Sequence, residues 1–255
     1  MTIRFRTRAH VFWRCLFLQA AWNRRGMQNL GFAYAIEPAL DALYDDPARR
    51  EEALTRHLGF FNCHPYMAAA ILGGAIHHEE RVAAGQEPGA APLSYKATLQ
   101  GPLAAVGDGF FWTALRPFFG AMAALGALAI GWQAVVVAVL LYNLVHFTLR
   151  AILFRAGYRQ GDAVVGLIAR LALPRMAERL RAAGVALCGA TAAAVALRAG
   201  GAVLAAEAAA ALVVAAAAGA GYLALSRGAP LFPAAYLVAV LGTIVAAATG
   251  WDGRP

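Results

Sequence analysis

The sequence predicts an all-α integral membrane protein, with amphipathic and re-entrant helices in its N-terminal half and transmembrane helices in its C-terminal half. Three observations carry this. Of 255 residues, 61% are hydrophobic and 14% charged, against about 45–50% apolar and about 25% charged in a soluble domain. Of the 22 basic and 14 acidic residues, only Arg198, Glu207, Arg227, Asp252 and Arg254 follow residue 181. No residue between Arg116 and Arg150 is charged unless His146 is protonated.

The elements follow in chain order. Arg4, Arg6, Arg8 and Arg14 interleave with Phe5, Val11, Phe12 and Trp13, a basic amphipathic segment of the kind that lies on a membrane surface. The apolar stretch 15–21 is short and runs into Trp22-Asn23-Arg24-Arg25, which argues against a cleaved signal. Asp46-Pro47 is a helix start, with an N-cap and a proline at the first helical position. Leu54, Leu58 and Phe61 then recur at i, i+4 and i+7 as one apolar face. Gly85 to Pro92 reads as a loop. Gly101-Pro102 and Gly107-Asp108-Gly109 are expected to break a helix twice. Residues 1–116 hold 12 basic and 10 acidic groups and form the amphipathic, re-entrant region that carries the substrate-path motifs. As one helix, 117–149 would reach about 50 Å against a hydrocarbon core of about 30 Å. A broken helix or hairpin, with Gly126 or Gly131 at the break, is expected instead. Residues 150–181 carry seven basic and two acidic groups and read as a cytoplasm-facing segment. The apolar runs 182–197, 208–226 and 228–251 make 182–255 the C-terminal transmembrane helices. By the positive-inside rule the N-terminus is cytoplasmic and the C-terminus external.

The chemistry starts from what is missing. The stretch GPLAAVGD (101–108) lacks the Lys and Ser/Thr of a phosphate-binding loop, and neither GxSxG nor HExxH occurs. The cysteines are Cys15, Cys63 and Cys188, an odd number without CxxC; Cys15 and Cys188 read as packed small hydrophobes. In His77-His78-Glu79-Glu80 adjacent helical residues point about 100° apart, which disfavours a shared metal. No metal, cofactor or catalytic residue is expected. The net charge of +8 fits membrane orientation better than nucleic acid.

Three stretches interrupt apolar sequence with amides and helix breakers: 18–32, 57–74 and 99–112. A sugar offers hydroxyls and apolar ring faces, so its site needs amide and carboxylate groups beside flat aromatics. Asn23, Gln28, Asn62, His64 and Asp108, with Trp22, Phe61, Phe111 and Trp112, have that composition. The competing reading is that the amides cap re-entrant helices and the aromatics form interfacial belts.

In order, WNRRGMQNLGF (22–32), HLGFFNCHP (57–65), ILGG (71–74), Glu79-Glu80, GPLAAVGD (101–108) and FWTALRP (111–117), with the later NLV (143–145) and GYRQG (157–161), resemble the IID component of the mannose/fructose/sorbose family of the phosphoenolpyruvate-dependent sugar phosphotransferase system. The resemblance spans roughly 11–255 and is densest over 16–117. It implies a multi-pass subunit of the inner (cytoplasmic) membrane that pairs with a IIC partner and forms higher oligomers in the lipid bilayer. Together they would translocate a mannose-like hexose. Cytosolic IIA and IIB carry phosphate, and IIB phosphorylates the sugar; IID itself carries none. Asn23, Gln28, Asn62, His64 and Asp108 would then line the sugar path, with Trp112 stacking or packing. Glu79-Glu80 would face the partner, and 150–181 would face IIB or anionic headgroups.

The chain departs from the family pattern at Arg24, Arg25 and Gly26, where an aromatic, Glu and Arg are usual. It departs again at Gln100, in place of Met, and at Ala105, in place of Gly. An added methyl at a glycine blocks a positive φ or a close approach. These departures motivate an alternative: a transport-impaired regulatory or interaction subunit that keeps the fold and docks IIA and IIB without moving sugar.

Overall fold

The computed structural model describes residues 2–198. The expected spans 208–226 and 228–251, and the external C-terminus, lie outside these residues. Every regular element among the described residues is helical, and the only extended pairings there are the isolated bridges Asn23–Met27 and Met27–Phe61. The described residues up to Gly189 form one compact unit.

The first helix, α1 (Phe5–Cys15), is amphipathic, with Val11 and Cys15 buried. An irregular stretch leads to α2 (Asn29–Leu43), which runs through Pro38. Then α3 (Pro47–His57) begins as the sequence predicts, with the Asp46 carboxylate accepting from the Ala48 amide and proline in the first turn. It ends earlier than the Leu54–Leu58–Phe61 spacing suggests. Leu58 is its exposed C-cap and Phe61 is buried in the chain beyond it. The apolar recurrence there came from a loop that dives into the core.

The centre of the unit is α4 (Ala68–Ala83), small and apolar at its start, with eleven buried residues. It packs against α2, α5 (Ala91–Gly107) and α7 (Trp132–Gln160). The crossing with α7 is backbone-close, because a methyl on Gly157 would sit 2.1 Å from the Ala70 carbonyl oxygen. Phe32, Phe61, Ile36, Leu40, Met67, Ile71 and Leu153 fill the core around α4.

At the expected double break the chain stays helical. It continues from α5 through Pro102 into a π-helix, Asp108–Leu115, and on into α6 (Arg116–Ile130). Proline removes one hydrogen bond and glycine weakens a helix, but the flanking turns here are long and apolar. The cost is absorbed as a widened turn rather than a chain reversal. The reversal comes at Gly131, whose φ of +73° separates α6 from α7. A short 3₁₀ turn (Gly161–Ala163), α8 (Val164–Arg170) and α9 (Leu173–Arg198) follow.

Two helical stretches, Ala91–Ile130 of 40 residues and Trp132–Val195 of 64, are long and apolar enough to cross a membrane. Their apolar side chains are exposed, among them Trp132, Val135, Val136, Val137, Val139, Leu140, Leu144, Phe147 and Ile152 on α7. So large an exposed apolar surface needs lipid or another subunit to cover it.

Candidate functional site

The site is built around the irregular stretch 58–67, whose backbone has the isolated Met27–Phe61 bridge but no strand beside it. Buried amide and carbonyl groups must find partners, and amide side chains supply them. Gln28, 2% exposed, donates from Nε2 to the Cys63 carbonyl (2.8 Å) and accepts at Oε1 from the Cys63 amide (3.0 Å). The Gln28 amide donates to the Phe61 carbonyl (2.8 Å) and the Phe61 amide to the Gly26 carbonyl (3.2 Å). Asn29 Nδ2 donates to the Leu58 carbonyl (2.6 Å). From the other side, Gln100 on α5 accepts from the Asn62 amide (3.1 Å).

Asn23 shapes the preceding turn. Its Oδ1 accepts from the amides of Arg25 (3.1 Å) and Gly26 (2.8 Å), and its Nδ2 donates to Asn29 Oδ1 (2.9 Å). This is an Asx-type turn, closed by paired backbone bonds between Asn23 and Met27. Arg24 and Arg25 point outward. A side chain at Gly26 would meet Asn29 at 2.3 Å. Ala105 is exposed in the last turn of α5, where the chain runs on into the π-helix. Its helical backbone needs no glycine, so the expected clash with a positive φ or a close approach does not arise within this chain.

Clamped in this way, the stretch presents His64 to the π-helix. His64 is 2% exposed. Its ring stacks on Phe111 (centroids 4.9 Å, 14°) and tilts against Trp112 (4.8 Å). The widened turn lets these two sequence neighbours both reach it. Gly107 makes room, since a methyl there would lie 2.4 Å from His64 Cβ. His64 Nδ1 accepts from the Tyr66 amide (3.2 Å), while Nε2 is buried without a partner. Burial, then the charge of Arg150 and His146, lowers the imidazole pKa to about 3. It is a neutral ring at any physiological pH. Asp108, exposed, opens the π-helix. Burial, with the Asp108 charge adding, pushes the Cys63 thiol up to about 12. Trp112 is 36% exposed, with the Arg116 guanidinium 5.6 Å from its ring. Asn62 is exposed.

Of the six candidates, His64 and Trp112 meet where 58–67 reaches the π-helix that Asp108 opens, while Asn62 is held against Gln100, farther back on α5. Asn23 and Gln28 lie behind, with their amides spent on the loop. Sequence reasoning passed over Tyr66, Tyr142, His146 and Arg150. Tyr66 stacks on His146 (4.2 Å, 20°) and its hydroxyl lies 3.2 Å from that of Tyr142. The Arg150 guanidinium lies 5.6 Å from the Tyr66 ring and donates to the Cys15 carbonyl. The signal was available: residues 142, 146 and 150 are the i, i+4, i+8 stripe of α7.

Glu79, the first of the paired glutamates, does not face a partner as expected; it is wholly buried. It accepts from the Tyr44 hydroxyl (2.6 Å), lies 2.9 Å from His57 Nε2 and 3.6 Å from an Arg56 nitrogen. Lys96 Nζ closes the cluster by donating to the His57 carbonyl (3.3 Å). Glu80 accepts from the Ile3 amide (2.8 Å) and the Tyr158 hydroxyl (2.7 Å). His77 pairs with the Tyr158 carbonyl (3.1 Å) and His78 with Glu87 (2.7 Å), so the run splits among separate partners. Arg150, the first of the basic residues in 150–181, is also buried. Cys188 is exposed on α9 rather than packed.

Comparison with known proteins agrees with the motif reading. The family model of the PTS system mannose/fructose/sorbose family IID component matches residues 2–212. The mannose-specific EIID component of Escherichia coli K12 is 38% identical over 157 residues, covering 61% of this chain and 56% of the relative. The match thus spans little more than half the length of that relative. The fructose permease IID component of Bacillus subtilis is 32% identical over 181 residues, covering 71% and 66%. The cryo-electron microscopy structure of the mannose transporter ManYZ with microcin E492 superimposes with a TM-score of 0.61 at 34% identity, over 74% of this chain and 70% of the matched one. A second membrane protein structure gives 0.66 at the same identity and coverage. With its membrane-length helices and the motif-bearing loop in place, the chain belongs to the IID components of the mannose/fructose/sorbose family of the phosphotransferase system.

Proposed function

We propose that this chain is the IID subunit of an inner-membrane, multi-pass sugar permease. With a IIC partner it translocates a mannose-like hexose while IIB, charged by IIA, phosphorylates the sugar. The observation that carries the reading is the junction of 58–67 with the π-helix. There the neutral, buried His64 ring packs against Trp112 (4.8 Å), and the exposed Asp108, four residues before Trp112, adds a carboxylate to that ring face. Asn62, two residues before His64, is exposed on the same loop. π-segments recur at functional sites, and amide–carboxylate–aromatic sets suit neutral sugars. Asn23 and Gln28 act as positioning residues. The apolar surfaces of α6 and α7 fit a IIC partner, lipid and higher oligomers. Those surfaces, with re-entrant helices before them and spans after them, are the arrangement the composition suggests.

The test is phosphoenolpyruvate-dependent uptake of labelled hexose in vesicles holding this chain, IIC, IIA and IIB. Asp108→Asn and Trp112→Ala are each expected to lower uptake about 10–100-fold, the worth of one buried charge-assisted or stacking contact, while IIC still co-purifies. Uptake unchanged by both variants removes these residues from the sugar path. No uptake by the wild-type complex, with IIB docking intact, leaves the transport-impaired reading in place.

A further inference from the structure

Away from that junction, a cavity of about 370 Å³ lies between α1 and the last turns of α7. Its apolar wall is Phe12, Ala151 and Phe154, and its cationic wall is Arg8, Arg155 and Arg159. These arginines differ from Arg14, Arg50, Arg56 and Arg81, each of which has a carboxylate within 4 Å. None of the three has a carboxylate partner among the described residues. The nearby Glu80 is already occupied by the Tyr158 hydroxyl and the Ile3 amide. The Arg8 guanidinium lies 4.8 Å over the Tyr158 ring, and its Nε is buried without a hydrogen-bond partner. A buried donor left unpaired is costly, and a ligand in the cavity that Arg8 lines would relieve that cost. Guanidinium groups match phosphate oxygens in pairs.

The level of the cavity narrows the ligand further. On α7 the exposed apolar side chains begin at Trp132 and end at Ile152. That is about 30 Å of helix, the thickness of the hydrocarbon core. Arg155 and Arg159, both exposed, come on the next turns, where the headgroups begin. On α1, Phe5 (75% exposed) and Trp13 (61%) continue the apolar surface outward. A free anion would leave the exposed Ala151 and the half-buried Phe12 bare, and an acidic protein face would have to enter at headgroup level. An amphiphile satisfies both walls. The geometry points to a binding site for an anionic phospholipid, its phosphate held by Arg8, Arg155 and Arg159 and its acyl chain covering Phe12, Ala151 and Phe154. A lipid seated there ties α1 to α7. The assignment depends on membrane insertion and not on the sugar path, so sugar uptake and lipid binding fail separately.

The probe is phosphatidylglycerol in competition with phosphatidylcholine, offered to the full chain purified in detergent with its IIC partner and read by native mass spectrometry. The wild type is expected to retain one phosphatidylglycerol more than Arg155→Gln/Arg159→Gln. The affinity of that lipid falls about 30-fold in the double variant, from roughly 1 kcal/mol per headgroup-level arginine. Both side chains are exposed, so the double variant tests binding even if Arg8→Gln does not fold. Arg4→Gln, at the N-cap of the same helix but outside the cavity, is expected to bind as the wild type does. Equal retention of the two lipids, or no change in the double variant, overturns the assignment. Complete displacement by millimolar inorganic phosphate makes it a free-anion site and overturns it. Unchanged lipid with loss of purified IIB in the double variant makes it a protein dock and overturns it too.

Discussion

Gln28 and His64 look alike in sequence, polar residues among aromatics, yet their roles diverge once their hydrogen bonds are counted. Gln28 has its donor and acceptor both committed to Cys63, whereas His64 keeps one ring nitrogen unpaired. An amide's partners cannot be read from its neighbours along the chain, because Cys63 is 35 residues away. That is why the sequence sets Asn23 and Gln28 beside Asn62 and Asp108 as candidates without revealing that the first two hold the loop. Glu79 was misplaced for the same reason, its partners Tyr44 and His57 being distant in sequence. Gln28→Ala strands a buried amide and a buried carbonyl, each worth about 1–3 kcal/mol. The expected result is a loss of about 2–4 kcal/mol in the thermal unfolding of the purified protein, with Gln28→Glu between the two. A Gln28→Ala protein that melts with the wild type would refute the clamp.

At the scale of elements, local signals succeeded where local chemistry decides. The start of α3 is legible because an N-cap and a first-turn proline act within four residues. The course of α5 was not legible. Gly101-Pro102 and Gly107-Asp108-Gly109 carry real propensities against helix, but these cost a few kcal/mol at most. Continuity of a 40-residue apolar helix outweighs them. Their net product is the π-turn that brings Phe111 and Trp112 to His64. Ala105, read from the motif as a damaging methyl, sits in this helix with its side chain outward. Ala105→Gly therefore restores the motif but costs about 0.5–1 kcal/mol of helix stability. The expected outcome is a slightly lower unfolding midpoint for Ala105→Gly, checked by circular dichroism. A raised midpoint would mean that the methyl is strained after all.

At the scale of the whole molecule, composition gave the class directly, because no soluble core absorbs so much apolar surface. What composition could not show is that part of the charge is internal. Glu79, Lys96 and Arg150 are buried, and with them His57 and His64. This has a consequence for pH. Burial lowers the pKa of His57, against the opposing pull of Glu79 and with the charges of Lys96 and Arg56 adding. Burial likewise lowers that of His64, to about 3. The unfolded chain titrates both near 6.5. Below that value it binds protons that the folded state refuses, so stability is present above pH 6.5 and is lost as pH falls through the window beneath it. Each histidine contributes a slope of up to about 1.4 kcal/mol per pH unit. The unfolding midpoint should decline as pH falls from about 6.5 to 5, a range in which unperturbed carboxylates stay largely ionised. His64→Gln should flatten part of that decline without removing it, because His57 still titrates. A variant whose midpoint falls as steeply as the wild type would mean that the folded protein protonates His64, and that the ring beside Trp112 is not the neutral surface the site requires.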